Sequence, residues 1–157
     1  MSAYEMNHFR DAYQQSIVTN ARAFARALSD CGLMVAGDSA IDYTETHQVI
    51  LNVGFGKGPD VARRLEENNI VLNYQAAPDE EGFTASGSLR MGVQEMTRFG
   101  MEPDDFAELA QLMAAVIRDG KKVLTDVKKM RSRFDQMRYC FSGRQVEDLI
   151  EQLHSVA

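Results

Sequence analysis

The feature that most constrains the fold is a long run of apolar side chains at helical spacing near the start of the chain. These side chains recur every three or four residues: Phe9, Tyr13, Ile17, Ala21, Phe24 and Leu28. Basic side chains such as Arg10 and Arg26 fall on the opposite side, as on a solvated helix face. Gly32 is a natural helix stop. The pattern predicts an N-terminal helix over residues 1–31 with one buried face.

Short apolar and β-branched runs alternate with helical patterns in the next part of the chain. The predicted strands cover residues 33–36, 47–53, 70–73 and 88–91, and a helix runs from Pro59 to about residue 68. The glycines at 54–58 lack the spacing of a nucleotide-binding loop and indicate a strand-to-helix turn. The alternation predicts an α/β (α+β) two-layer sandwich, in which a small mixed or antiparallel sheet packs on helices.

The C-terminal part of the chain carries three more helical patterns. The first begins at Pro103 and ends at Gly120, and the second has apolar residues from Val123 to Met137. The last has its apolar residues at positions 146, 149, 150 and 153, predicted to point inward. No linker interrupts the chain, which predicts a single domain over 1–157. Its parts are an N-terminal helix (1–31), an α/β core (32–119) and C-terminal helices (120–157).

Composition excludes several classes of partner. The chain has 157 residues and a formal net charge of −6, which argues against nucleic acid or an anionic membrane as its main partner. It contains no apolar run of membrane-spanning length. Cys31 and Cys140 are far apart and fit no metal-ligand spacing, so no metal site is predicted and a reducing, cytoplasmic location is expected.

Arg90 is the candidate site residue. It lies between Gly87 and Gly92, and glycines allow a backbone to approach a ligand closely. An arginine presents a planar fork that matches a carboxylate or a phosphate. From the residues alone, an alternative remains open: Arg90 pairs with a carboxylate of the same chain and has a structural role.

Four stretches of the chain resemble, in the same order, motifs of the glycine/serine hydroxymethyltransferases. The segment around Arg90, SGSLRMGVQEMTRFG, is similar to the family's signature Ser-Gly-Ile-Arg-x-Gly-Thr-Pro-Ala-x-Thr-x-Arg-Gly. The other three are YQQSIVTNA from Tyr13, TETHQVIL from Thr44, and NIVLN from Asn69. Members of this family are pyridoxal-phosphate enzymes of fold type I, the aspartate-aminotransferase-like fold. The resemblance covers about residues 9–117 and implies the small, C-terminal domain of such an enzyme.

The resemblance implies roles for particular residues and partners. Arg90 would bind the carboxylate of an amino-acid substrate, and Arg98 would form a structural ion pair. In the family, the lysine that holds pyridoxal phosphate lies in the large domain, in a Thr-Thr-Thr-His-Lys context that none of this chain's lysines has. The expected partners are therefore a large catalytic domain or subunit and an amino-acid substrate, within a homo-oligomer. The chain alone is not expected to be catalytic.

Departures from the family pattern leave the exact activity open. The stretch that begins at Pro78 resembles the family's folate-contacting loop, but Asp79 stands where those enzymes have an asparagine. The loop is also one residue shorter, which makes tetrahydrofolate binding doubtful and allows a threonine transaldolase- or aldolase-like branch. The second alternative is a stand-alone module that binds an amino acid, or mediates oligomerisation, without chemistry.

Overall fold

The computed structural model describes residues 3–77 and 85–155. Its helices are α1 (Ala3–Asp30), α2 (Gly58–Glu66), α3 (Gln94–Arg98), α4 (Pro103–Asp119), α5 (Leu124–Arg131) and α6 (Arg144–Ser155). Its strands are β1 (Met34–Val35), β2 (Gln48–Asn52), β3 (Asn73–Gln75) and β4 (Ser88–Gly92), and a short 3₁₀ turn covers Ser39–Ile41. The predicted N-terminal helix and its stop at Gly32, which has a φ of +75°, are confirmed.

The strands form one sheet in the order β1-β2-β4-β3, and every pairing is antiparallel. The predicted two-layer fold is therefore confirmed, with the antiparallel form of the sheet. The strand β4 is central because it pairs with β2 on one side and with β3 on the other. Of its residues, Leu89 pairs with Leu51 and Tyr74, while Arg90 pairs with Ile50 and Asn73.

The core lies between one face of the sheet and the helices. Strands β2 and β4 contribute Val49, Leu51, Leu89 and Met91, and α1 and α4 supply Ala21, Phe24, Leu28, Phe106, Ala110 and Met113. Leu51, Leu89 and Leu28 are fully buried. Removing a buried leucine side chain of this kind typically costs about 2–5 kcal/mol. Strand β4 is therefore held in place by Leu89 and Met91. Their side chains point into the core, on the opposite face from Arg90.

The strand predicted at 70–73 begins later in the structure, where β3 starts at Asn73. The amide of Ile70 donates to the carbonyl of Leu65 (3.0 Å), because it belongs to the closing turn of α2. Asn69 in this turn has a φ of +62°. Val71 is consequently 80% exposed rather than paired in the sheet.

The C-terminal helical patterns overestimate how much of this region packs inward. Helix α5 ends at Arg131, although the apolar spacing continues to Met137. Beyond it, the amide of Arg138 donates to the carbonyl of Arg98 (2.7 Å), so the chain leaves the helix to meet α3. Met137 is 53% exposed, and Ile150 in α6 is 48% exposed. The inward orientation predicted for Ile150 is wrong, and Met137 does not continue the buried side of α5. Leu149 and Leu153 are among the residues whose side chains the structure does not describe.

None of the helices within residues 3–77 and 85–155 has the length and apolar character needed to cross a membrane. The basic side chains near the C-terminus mostly meet groups of the same chain. Arg133 pairs with Glu108 and Asp105, and Arg138 pairs with Glu102. Arg118 donates to the carbonyl of Cys31. Arg118, Arg133 and Arg138 therefore tie this region to α4, to its N-terminal cap and to the end of α1.

Candidate functional site

Arg90 lies in the middle of the central strand, with its side chain on the face opposite the core. Its cross-strand neighbours on that face are Ile50 and Asn73. Such directly opposite residues have Cβ atoms about 4.5–5.5 Å apart, so their side chains are adjacent. Arg90 and Asn73 are exposed, and Ile50 is half-buried.

The guanidinium of Arg90 has no hydrogen-bond or ion-pair partner among the described residues. The side chain of Arg98, by contrast, donates to the Glu5 carboxylate at 3.0 Å. This pair is only 17% and 16% exposed, which confirms the structural ion pair predicted for Arg98. Of the two arginines in the motif, Arg98 is tied to a carboxylate, and Arg90 has no such partner in the described part of the chain.

The strand that carries Arg90 is fixed at both of its ends. At its start, the hydroxyl of Ser88 donates to the side-chain oxygen of Asn52 at 2.7 Å. At its end, the chain turns at Gly92 into α3, where an added Cβ would come within 2.4 Å of the Gln94 side-chain oxygen. A side chain at Gly92 would therefore force Gln94 to move. The glycine identified in the sequence serves this tight strand-to-helix turn.

Helix α1 holds the segment after Arg90 through a buried polar side chain. The side-chain amide of Asn20, a residue that is 3% exposed, donates to the hydroxyl of Thr97 and to the backbone carbonyl of Met101, both at 2.9 Å. The Thr97 hydroxyl in turn donates to the Val93 carbonyl at 2.8 Å. Buried polar groups of this kind are costly unless they are paired, so the network specifies one register between α1 and α3.

Tyr13 provides a second link between the same two helices. Its hydroxyl donates to the carbonyl of Gln94 at 2.9 Å. Burial raises the pKa of Tyr13 above its ordinary value, and the nearby positive charge of Arg98 opposes the shift. Tyr13 therefore stays protonated and keeps donating at any pH near neutrality. Two of the four sequence motifs, those at Tyr13 and around Arg90, thus meet in space.

The sheet face that carries Arg90 faces away from the helices. Because residues alternate between faces, pairing partners share a face and form rows across the strands. We call this surface the open face. Its residues are Met34, Gln48, Ile50, Asn52, Asn73, Gln75, Ser88, Arg90 and Gly92. Arg90 is the only charged side chain among them.

A cleft of about 960 Å³ opens at the edge of the sheet, beside the residues that precede β3 and its first residue. Its walls come from residues 69–73, the end of β4 including Arg90, and helices α3, α4 and α5. Five methionines line it: Met91, Met96, Met101, Met113 and Met130. Its charged lining groups include Arg90, Glu95, Lys128, Arg131 and Asp135. Methionine is an adaptable lining for an apolar surface.

In the described part of the chain, the lysines lie away from the open face and no metal-binding group is assembled. All five lysines, at positions 57, 121, 122, 128 and 129, are exposed, and none lies on the open face. Within the described part of the chain, no group of three histidine, cysteine or acidic side chains could hold a metal ion. Pro78 and Asp79, the residues expected in a folate loop, lie outside the described residues.

Comparison with known proteins adds independent evidence. The family model described as serine hydroxymethyltransferase matches residues 2–113, which include α1, the whole sheet and most of α4. The chain belongs to the serine hydroxymethyltransferase family. The serine hydroxymethyltransferase of Pyrobaculum arsenaticum is 41% identical over 140 residues, which cover 87% of this chain and 32% of that protein. That of Pyrobaculum calidifontis is 37% identical over 158 residues, 98% of this chain and 36% of that protein.

A solved structure also matches almost the whole of this chain. The L-threonine transaldolase from Pseudomonas fluorescens, in its internal aldimine state, superposes with a TM-score of 0.83 at 31% identity. The match covers 97% of this chain and 35% of the transaldolase. The chain described here spans about a third of the length of the curated relatives it matches.

The sequence identified Arg90 but not its surroundings. It predicted neither α3 as a helix nor the row formed by Ile50, Arg90 and Asn73. The apolar positions Leu89 and Met91 on either side of Arg90 were a usable signal, because alternation already places Arg90 on the opposite face. The cleft could not be predicted, since it depends on where β3 begins and where α5 ends.

Proposed function

We propose that this chain is the C-terminal domain of a pyridoxal-phosphate-dependent enzyme of the hydroxymethyltransferase type. The complete enzyme, meaning this chain together with the lysine-bearing remainder, acts at the α-carbon of glycine or a β-hydroxy amino acid. This domain contributes Arg90, which binds the substrate carboxylate. The observation that supports this role is that Arg90 is exposed on the inner strand β4, between the buried Leu89 and Met91, and has no partner among the described residues.

Arg90, in its position on the sheet, is better suited to bind a carboxylate than an isolated arginine on a protein surface would be. Two parallel N–H donors of the guanidinium fix both the position and the orientation of a carboxylate. The flanking residues Asn73 and Ile50 are uncharged, so no fixed negative charge on the open face competes for the fork. Since the strand is held by buried neighbours, little reorganisation is needed on binding.

Pyridoxal phosphate would be held by the remainder of the enzyme. When bound, it supplies the electron sink for breaking a bond at the α-carbon of an amino acid. The residues of this chain fit the carboxylate end of such a site and not the cofactor end, because every lysine here is exposed and away from the open face. The role of this domain is therefore to bind and orient the substrate.

The direct test is Arg90→Ala in the complete enzyme. We expect amino-acid turnover to fall strongly while the visible absorption of bound pyridoxal phosphate and the thermal unfolding temperature stay near those of the parent. Arg10→Ala is the matched control, because Arg10 is exposed on α1 and pairs only with its exposed neighbour Asp11. Turnover by Arg90→Ala within a few-fold of the parent would make Arg90 a structural residue.

The complete enzyme is further proposed to act without tetrahydrofolate. The support is the sequence at the position of the family's folate loop, where the loop is shortened and Asp79 replaces an asparagine. Serine cleavage should be measured with and without tetrahydrofolate. We expect similar rates, and a strict requirement for the folate would refute this part of the proposal.

A further inference from the structure

We propose that Tyr139 is a positioning residue, which holds Arg90 in place through the ring of Tyr13 and the carbonyl of Gln94. This inference rests on the proposed function of Arg90. It concerns a part of the chain beyond the match to the family model, which ends at residue 113. Tyr139 does not belong to the sheet that carries Arg90, so its effect has to pass through other side chains.

The chain around Tyr139 crosses back over α1 and α3 after α5 has ended. We call residues 137–141 the C-terminal strap. The backbone amide of Arg138 donates to the carbonyl of Arg98, the last residue of α3, at 2.7 Å. The Arg138 side chain packs against Gly100, where an added Cβ would lie 2.8 Å from its Nε atom, and pairs with Glu102 at 3.0 Å. The C-terminal strap is therefore fixed to the turn between α3 and α4.

Tyr139 is held in one orientation by its contacts with α1. Its hydroxyl donates to the hydroxyl oxygen of Ser16 at 2.9 Å, and Ser16 donates in turn to the carbonyl of Ala12 at 2.9 Å. The φ of Tyr139 is +56°, in the left-handed region that residues other than glycine rarely adopt. Residues in such conformations are kept there by the surrounding structure and are frequent at functional sites. The fold therefore keeps the Tyr139 ring against α1 at a conformational cost.

Two contacts connect Tyr139 with the end of the strand that carries Arg90. The ring of Tyr139 packs on that of Tyr13, with centroids 5.0 Å apart. Tyr13 is buried, and its hydroxyl donates to the carbonyl of Gln94, the first residue of α3, at 2.9 Å. Strand β4 ends at Gly92, between Arg90 and Gln94 in the chain. A displaced Tyr13 ring would therefore shift the turn that ends this strand.

The contact proposed for Arg90 is sensitive to such a shift. A guanidinium that binds a carboxylate through two parallel N–H donors depends on direction as well as on distance. A misplacement of about 1 Å in a catalytic site can cost about a hundredfold in rate. Removal of the Tyr139 ring leaves the hydrogen bond between Tyr13 and Gln94 in place but unsupported, so we expect a partial loss.

The test compares kcat/KM for serine and for serine amide, which lacks the carboxylate, in the complete enzyme. A loss of folded enzyme lowers both values equally, so their ratio reports only how well the carboxylate is met. Tyr139→Ala should lower this ratio about tenfold. Tyr13→Phe, a mild substitution that removes the bond to Gln94, should lower the ratio as well. Tyr139→Phe keeps the ring, and its ratio should stay near that of the parent.

Phe141→Ala is the matched control within the C-terminal strap. Phe141 packs on Tyr4, His8 and Phe9 at the start of α1, with ring centroids 5.1 to 5.6 Å apart. Its removal should lower the thermal unfolding temperature and leave the ratio unchanged. An equal fall of the ratio in Phe141→Ala and Tyr139→Ala would overturn the inference, because the strap would then act only by general stabilisation.

Hydrogen exchange of residues 93–99 in the same variants measures positioning independently of any role of Arg90. Faster exchange is expected in Tyr139→Ala and Tyr13→Phe than in Phe141→Ala. If Tyr139→Ala does not fold, Tyr13→Phe decides by the same two measurements.

The outcomes separate this inference from the proposed function. If Arg90→Ala lowers the ratio and Tyr139→Ala does not, the positioning role of Tyr139 falls and the substrate role of Arg90 holds. If Arg90→Ala leaves the ratio unchanged, the substrate role of Arg90 falls. Hydrogen exchange then decides the positioning role, and unchanged exchange of residues 93–99 in Tyr139→Ala would overturn it.

Discussion

Arg90 and Arg98 belong to one sequence motif, yet the fold gives them different surroundings. Arg98 lies on α3 and is tied to Glu5 at the start of α1, in a pair that is largely shielded from water. Its Nε atom is buried without a partner in the described part of the chain, so part of its desolvation is uncompensated. Arg90 is exposed on the open face and has no hydrogen-bond or ion-pair partner among the described residues. Arg98 therefore supports the fold, while for Arg90 we propose a role in binding the substrate.

Arg98→Ala should destabilise the domain without altering the open face. We expect a loss of about 1–3 kcal/mol in the free energy of unfolding, between the values typical of exposed and buried pairs. The matched control is Arg10→Ala, whose pair with Asp11 is 60% and 92% exposed and should contribute close to nothing. Urea denaturation of both variants measures the difference. Equal stability of the two variants would show that the Glu5 pair contributes nothing measurable.

At the scale of elements, the contact between α1 and α3 positions the motif segment. Asn20 and Tyr13 donate hydrogen bonds from α1 to groups at 94, 97 and 101. Replacing Tyr13 with phenylalanine removes the bond to the Gln94 carbonyl and should cost about 0.5–1.5 kcal/mol at neutral pH. The pKa of Tyr13 is raised by burial, so the folded state favours its protonated form.

The raised pKa gives this substitution a characteristic pH dependence. The stabilisation from Tyr13 is fully present below a pH of about 10, where a free tyrosine ionises, and is lost as the pH rises through the higher folded-state pKa. The stability difference between the parent and Tyr13→Phe should therefore shrink above that pH. Urea denaturation at neutral and alkaline pH measures it, and a constant difference would contradict the account.

Element types were easier to predict from the sequence than element ends. The stripe from Phe9 to Leu28 predicts α1 correctly because helical spacing is sustained over many turns. The strand expected at 70–73 starts late because Ile70 closes α2 through the Leu65 carbonyl, a contact that apolar periodicity does not encode. Helix α5 ends early for a similar reason, since Arg138 bonds to a carbonyl on another element.

At the scale of the whole molecule, we propose that this chain orients the substrate and that the remainder of the enzyme holds the cofactor. This chain alone should not form a stoichiometric adduct with pyridoxal phosphate, because its five lysines are all exposed to water. The test is to add pyridoxal phosphate, reduce with borohydride and identify the modified residues by mass spectrometry. Weak labelling spread over several lysines is expected. A single lysine labelled in full would contradict the division.

The site itself was only partly predictable. Arg90 could be identified because its glycines and its motif lie close together in sequence. Its neighbours Ile50 and Asn73 come from separate strands, and only the pairing register brings them beside it. Register depends on the whole sheet, so no local pattern reveals such a row.

We propose that Arg90 binds the carboxylate of the substrate, and the decisive experiment removes each of these two partners in turn. In the complete enzyme, kcat/KM is compared for serine and for serine amide, with the parent, Arg90→Lys and Arg90→Ala. For serine, Arg90→Ala should lose roughly 30- to several-thousand-fold, equivalent to about 2–5 kcal/mol. Arg90→Lys should lose less than Arg90→Ala but remain impaired, because lysine keeps the charge without the fork. For serine amide, which has no carboxylate, Arg90→Ala should change little. Equal losses for both substrates, or no loss with serine, would contradict the claim.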